Sequence, residues 1–203
     1  MGLFDAADKI FAKDFDVKAN TKHTPQTLFH QRMYALMAGF EDLNDHDVIT
    51  SDPGFKAIVG CDDLAGSSTL CRFENSINRH SIDRLNTSLL EAVAAANKRL
   101  NFLPSRGDVM ILDFDSTHID LYGNQEGKSY NAHYATNCLA PVLCFLDGWP
   151  IAVFNAHGTK DARTVLVKQI VRLVRRIKKA FPNRYLLLRG DSGFNSTKLI
   201  ETC

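Results

Sequence analysis

The chain changes its hydrophobic period near residue 104. Before that point apolar residues recur every three or four positions, the repeat of one helix face. Leu3, Ala7, Ile10 and Phe11 predict a helix within Met1–Asn20. Thr24-Pro25 supplies an N-cap and a proline at the first helical position, and Leu28, Arg32, Ala35, Leu36 and Gly39 follow along one face. Asp52-Pro53 opens a short helix through Phe55, Ile58 and Val59, which Gly60 stops. Ser67-Ser68-Thr69 leads into Leu70–Asn75, and Leu85, Leu89, Val93, Ala96 and Leu100 mark a long helix over Asp83–Leu100. Residues 1–103 are expected to be helical.

Beyond residue 104 the apolar residues come in short unbroken runs bounded by turn formers, as buried strands do. Val109–Leu112 runs into Asp113-Phe114-Asp115. Leu139–Leu146 and Pro150–Asn155 flank Asp147-Gly148-Trp149 as a hairpin. Thr159 can cap a helix over Lys160–Ala180 striped by Val165, Leu166, Ile170, Val174 and Ile177. A last strand, Arg184–Leu188, runs into Arg189-Gly190-Asp191, and Asn195 or Ser196 caps a closing helix. Tyr122–Asn131, polar and rich in turn formers, is read as a loop. The expected class is α/β, a helical region over 1–103 followed by a mixed sheet with flanking helices over 104–203.

Composition adds exclusions. At 45% hydrophobic and 23% charged, the 203 residues are those of an ordinary globular chain and not of a disordered one. There is no apolar run of about eighteen residues, so no membrane-spanning helix is expected. The acidic N-terminus is unlike a secretory leader, which points to the cytoplasm. The five cysteines include no Cys-x-x-Cys pair and are expected to be buried free thiols rather than disulfides or a zinc ribbon. The acidic run Glu41–Asp47 reads as a solvated turn with side-chain caps. A net charge of +1 means that any nucleic-acid contact must come from a local patch. The polar face of Lys160–Ala180 is one, with Arg163, Lys168, Arg172, Arg175, Arg176, Lys178 and Lys179.

The chemistry lies at two strand ends. Asp113 and Asp115, two residues apart, share one face of their strand, where like charges repel unless a cation or partner joins them. Asp191 ends the fourth strand, 76 positions beyond Asp115. The order strand, strand, strand, long helix, strand matches the ribonuclease H-like fold, in which the first and fourth strands are neighbours and their terminal carboxylates converge. Such an oxygen set favours Mg²⁺ or Mn²⁺, and the basic helix would supply cations for phosphates beside the metal. A rival reading takes Asp113-Phe114-Asp115-Ser116-Thr117 as the Asp-x-Asp-x-Thr motif of haloacid-dehalogenase-like phosphatases, with Asp113 as nucleophile and Asp115 as general acid.

Several motifs, in order, cover nearly the whole chain: Gln31–Leu36 with Gly39–Asp47, Ser68–Asn75, Leu112–Thr117, Tyr122–Gly127 and Arg189–Phe194. Together they resemble bacterial insertion-sequence transposases of the DDE class. The resemblance implies a DNA transposase acting on transposon terminal repeats through a ribonuclease H-like core and Mg²⁺. Asp115 and Asp191 match the first two catalytic and metal-binding carboxylates. The third, a Glu on a later helix, has no match; Glu201 is too close to Asp191, and Glu126 belongs to another motif. The chain is accordingly expected to be a C-terminally truncated transposase, binding Mg²⁺ weakly and catalysing no strand transfer alone, or a non-catalytic DNA-binding remnant. Asp113 and Glu126 are expected in supporting roles, and His118, just beyond the first strand, is read as a surface residue more than as a phosphate contact. Lys160, Arg163, Arg172, Arg175 and Arg176 are expected to contact DNA. The N-terminal helices are expected to bind transposon ends or to form a homodimer.

Overall fold

The computed structural model describes residues 3–14, 22–103, 109–121, 128–132, 135–155 and 162–202. The chain divides into two compact units, Met1–Ser88 and Leu89–Cys203.

The first unit consists of helices α1 (Leu3–Asp14), α2 (Pro25–Met37), α3 (Asp45–Ile49), α4 (Pro53–Val59) and α5 (Ser67–Ser76), with the opening of α6 (Arg79–Leu100). Its helix ends are written locally. Thr24 Oγ1 accepts the Thr27 amide at 3.2 Å, Asp52 Oδ1 accepts the Phe55 amide at 2.9 Å, and Gly60 closes α4 at a φ of +77°. Phe11, Leu28, Leu70 and Phe73 pack one core; Ala35, Ile49, Phe55, Val59 and Leu64 pack another.

The polar residues of the first motifs tie these helices together. Gln31 is fully buried; its Oε1 accepts the Ala65 amide at 2.9 Å, and its Nε2 donates to the Ala65 carbonyl at 2.8 Å. The same nitrogen lies 3.0 Å from Nδ1 of the equally buried His46. Arg32 reaches Glu74 at 2.7 Å and the carbonyls of Phe40 and Glu41 at 3.3 and 2.8 Å. The acidic run is a set of caps: Asp42 accepts the Asn44 amide, and Asp47 accepts both the amide and hydroxyl of Ser67, at 2.8 Å each, at the start of α5.

The second unit holds the end of α6, then β1 (Val109–Ser116), β2 (Ile119–Asp120), β3 (Ser129–Asn131), β4 (Thr136–Leu139), β5 (Val142–Leu146) and β6 (Trp149–Phe154). Helix α7 (Ala162–Ala180), β7 (Tyr185–Gly190), a 3₁₀ turn at Ser192–Phe194 and α8 (Thr197–Thr202) complete it. The unit boundary falls inside α6, earlier than the 103/104 boundary read from the pattern, because Leu90 and Val93 are buried in the same core as the sheet.

The main sheet has the order β6-β5-β1-β7; β5 is antiparallel to both β1 and β6, and β7 is parallel to β1. This is the mixed, ribonuclease H-like arrangement that the strand order predicts. The hairpin turn is Asp147-Gly148, with φ of +48° and +89°, the left-handed pair that a two-residue hairpin requires. Asp147 extends the ladder, donating its amide to the Ile111 carbonyl at 2.8 Å and accepting the Ile111 amide on Oδ1 at 3.0 Å.

Three expectations change. A second sheet, β2-β4-β3, occupies part of the stretch read as loop; its strands are short and polar, so no apolar run announces them. Leu139–Leu146 is two strands, broken at Ala140-Pro141, because proline has no amide for a ladder. Of the cysteines, Cys138 and Cys144 are buried, with the Cys144 thiol pushed up to about 12 by burial, but Cys61 is half-buried and Cys71 exposed. Thr159 and Cys203 lie outside the described residues. No helix among the described residues is long and apolar enough to cross a membrane.

Candidate active site

Strand β1 separates its two faces by residue parity. Met110, Leu112 and Phe114 are buried in the core that also holds Leu166, Ile170, Leu173 and Ile177 of α7. Asp113 and Asp115 lie on the opposite face, Asp113 half-buried and Asp115 exposed. The parallel register of β1 with β7 runs from Val109↔Tyr185 to Phe114↔Gly190. Asp115 and Asp191 are each the next residue, so the two carboxylates stand at adjacent carboxyl ends of parallel strands. They border an open cleft of about 440 Å³, lined also by Asp113, Phe114, Phe145, Gly148, Arg189 and Gly190.

Asp191 is positioned by the turn that follows it. Its Oδ1 accepts the Gly193 amide at 2.8 Å, capping the 3₁₀ turn. A Cβ on Gly193 would stand 2.9 Å from that oxygen, and one on Gly190 would stand 3.1 Å from the Phe194 ring. Phe194 is buried, its centroid 6.2 Å from that of Phe114. Both glycines thus sit at close approaches, Gly193 against Asp191 itself and Gly190 against the Phe194 ring.

Asp113 is engaged elsewhere. It pairs in register with Arg189, which donates from Nε to Oδ1 at 2.5 Å and from its terminal nitrogen to Oδ2 at 3.0 Å. This two-pronged contact is the strongest guanidinium–carboxylate geometry, and the carboxylate pushes the Arg189 pKa further up.

Comparison with protein families gives a match over residues 1–203 to the transposase DDE domain, group 1. The chain belongs to the DDE transposase family.

Solved structures of Mos1 transposase are similar at low identity. The paired-end complex with left transposon end is 12% identical, with 96% of this chain and 62% of that one covered at a TM-score of 0.32. The mariner paired-end complex with Mn is 12% identical, covering 98% and 62% at 0.32, and the complex with Mg is 14% identical, covering 94% and 60% at 0.28. The chain thus spans less than two thirds of those transposases' length. A search of curated proteins finds no significant match.

The transposase motifs now have positions. Asp115, before Ser116-Thr117, and Asp191 come together at the cleft, and Asp113 is beside them in the fork with Arg189. Glu126 and Lys160 lie outside the described residues, as does the side chain of Arg163. His118 is exposed just past β1. The position of the basic helix differs from the one expected: α7 covers the sheet face opposite the carboxylates, so Arg172, Arg175 and Arg176 do not stand beside the cleft. The phosphatase alternative fails on the same sheet. That fold alternates parallel strands with helices, whereas β5 and β6 form an antiparallel hairpin next to β1, and both oxygens of the would-be nucleophile Asp113 hold Arg189.

Arg189 is the site residue that motif reading missed. Its signal was present: Asp113 and Arg189 are separated by the same 76 positions as Asp115 and Asp191. The donor set fits a hard divalent cation, since Mg²⁺ is held by one or two carboxylates with water and phosphate completing its shell. Among the described residues no group of three His, Cys, Asp or Glu side chains gathers there.

Proposed function

We propose that this DDE transposase chain takes part in metal-dependent phosphodiester hydrolysis and strand transfer at insertion-sequence ends, with Asp115 and Asp191 as ligands for Mg²⁺ or Mn²⁺. The observation that carries the reading is the parallel β1/β7 register, which sets Asp115 and Asp191 side by side at the edge of an open cleft. A cation held there would activate a water and stabilise the leaving oxygen. Asp191 keeps Oδ2 for a ligand while the Gly193 amide fixes Oδ1. Arg189 holds Asp113 in its fork, so among the described residues the cleft's remaining acidic oxygens are those of Asp115 and Oδ2 of Asp191. The partner is DNA carrying the transposon's terminal repeats, and the helical unit is assigned to end binding or to pairing two copies. The setting is the cytoplasm, where the DNA is.

Calorimetric titration with Mn²⁺ tests the site. Weak binding is expected from two acidic donors, falling at least about tenfold in both Asp115→Ala and Asp191→Ala. Wild-type affinity in either variant overturns the assignment. On transposon-end duplexes, Mg²⁺-dependent cleavage is expected to depend on both carboxylates and to be lost in Asp115→Ala and in Asp191→Ala. Cleavage that persists unchanged in either variant would refute the assignment of that carboxylate.

A further inference from the structure

Helix α7 carries a surface that the carboxylate cleft does not use. Its buried residues Leu166, Ile170, Leu173 and Ile177 face the sheet. Two positions beyond each, and so about 200° around the helix, stand Lys168, Arg172, Arg175 and Lys179, all exposed. They form one stripe on the outer side. The helix holds seven Lys and Arg and no Asp or Glu, while the rest of the chain carries the other 17 of 24 cations against all 23 anions. The positive charge is thus concentrated on one element of an otherwise acidic chain, and the sheet separates it from Asp115 and Asp191.

We infer that this stripe is a second, metal-independent contact for the backbone of duplex DNA, so that the protein engages one stretch of DNA at the carboxylate cleft and another across the sheet. The inference rests on the proposed DNA-processing role for the identity of the polyanion. The stripe is about 16 Å long, enough for its four cations to meet about four phosphates, some on each strand across a groove. Arginine forks match phosphate oxygens. An anionic membrane is the poorer occupant, because the apolar face of α7 is consumed by the core and cannot enter lipid.

The test is fluorescence anisotropy of a labelled random-sequence duplex in EDTA, from about 50 to 200 mM salt. The full chain should bind without metal, and K168Q/R172Q/R175Q/K179Q should weaken binding more than tenfold. The log–log salt slope should become shallower by about 3 to 4, at about 0.9 per lost phosphate contact. Arg172→Lys with Arg175→Lys should restore most of the slope. The fourfold variant should keep its circular dichroism and its Mn²⁺ affinity, which separates loss of this surface from unfolding or failure of the cleft. The inference is overturned if the fourfold variant binds as wild type, or if wild type does not bind in EDTA, a result that leaves the metal assignment standing. Binding to phosphatidylserine vesicles without binding to DNA overturns it in favour of a membrane.

Discussion

Two side-chain pairings decide how the polar residues of this chain's motifs should be understood. Gln31 acts as a substitute peptide group: it answers both backbone atoms of Ala65 and donates to Nδ1 of His46, which leaves the ring proton on Nε2. Truncating Gln31 strands buried partners on three sides. Gln31→Ala should cost about 3 kcal/mol, at about 1 kcal/mol or more for each buried group left unsatisfied. Urea denaturation checks this, and a loss below about 1 kcal/mol would mean that water replaces the amide. At the cleft, Arg189 competes with any cation for the oxygens of Asp113. Arg189→Ala removes a positive charge and frees a carboxylate, so Mn²⁺ should bind more tightly, on the order of tenfold by the usual strength of a near-surface charge pair. Arg189→Lys should change it less. Unchanged affinity in Arg189→Ala would show that Asp113 points away from the bound ion.

At the scale of elements, the segment from β7 to α8 is built around Asp191 and Phe194. Gly190 lets the Phe194 ring lie against the strand end, and Gly193 lets its amide reach Asp191. The two glycines should therefore fail differently. Gly190→Ala drives a Cβ against a ring locked in the core and should cost about 1–3 kcal/mol, as overpacking does. Gly193→Ala presses on Asp191 Oδ1 itself and should weaken Mn²⁺ binding toward the level of Asp191→Ala, with less effect on stability. Calorimetry and urea midpoints on the two variants check the contrast; equal effects on both readouts would sink it. The cap of α8 is local, with Ser196 Oγ accepting the Leu199 amide at 3.4 Å.

For the whole molecule, the two compact units are expected to differ in their sensitivity to acid. Burial, followed by the charge of Arg32, holds the His46 pKa below 6.5, against the opposing carboxylates of Asp45, Glu74 and Asp47. An unfolded His takes up its proton near 6.5 and the folded one resists, so this contribution is complete above pH 6.5 and is lost as pH falls through the depressed value. Only the first unit contains His46, whereas the single tryptophan, Trp149, reports on the second. Lowering pH from about 7.5 to about 5.5 should thus move the urea transition seen by circular dichroism ahead of that seen by tryptophan fluorescence. His46→Gln should narrow the gap. Coincident transitions at both pH values, with no effect of His46→Gln, would remove His46 as the cause.

The local signals in the sequence determined the longer helices, the caps at Thr24 and Asp52, the Asp147-Gly148 hairpin, the main strands and the carboxylates at two strand ends, but not the short α3 within the acidic stretch. Each depends on a residue's own backbone preference or on a period of 3.6 or 2, which a stretch of chain carries with it. Tertiary structure decided what those signals leave open. The β1/β7 register turned the separation of 76 positions into two pairs, an Arg189–Asp113 fork and the adjacent carboxylates of Asp115 and Asp191. The packing of α7 decided that its cations face away from that site. The reach of Asp47 to Ser67 turned an acidic run into a cap for a helix 20 residues on. These are matters of partner and side, set by hydrogen-bond register and by which face of a sheet is covered, and neither is a property of a segment alone.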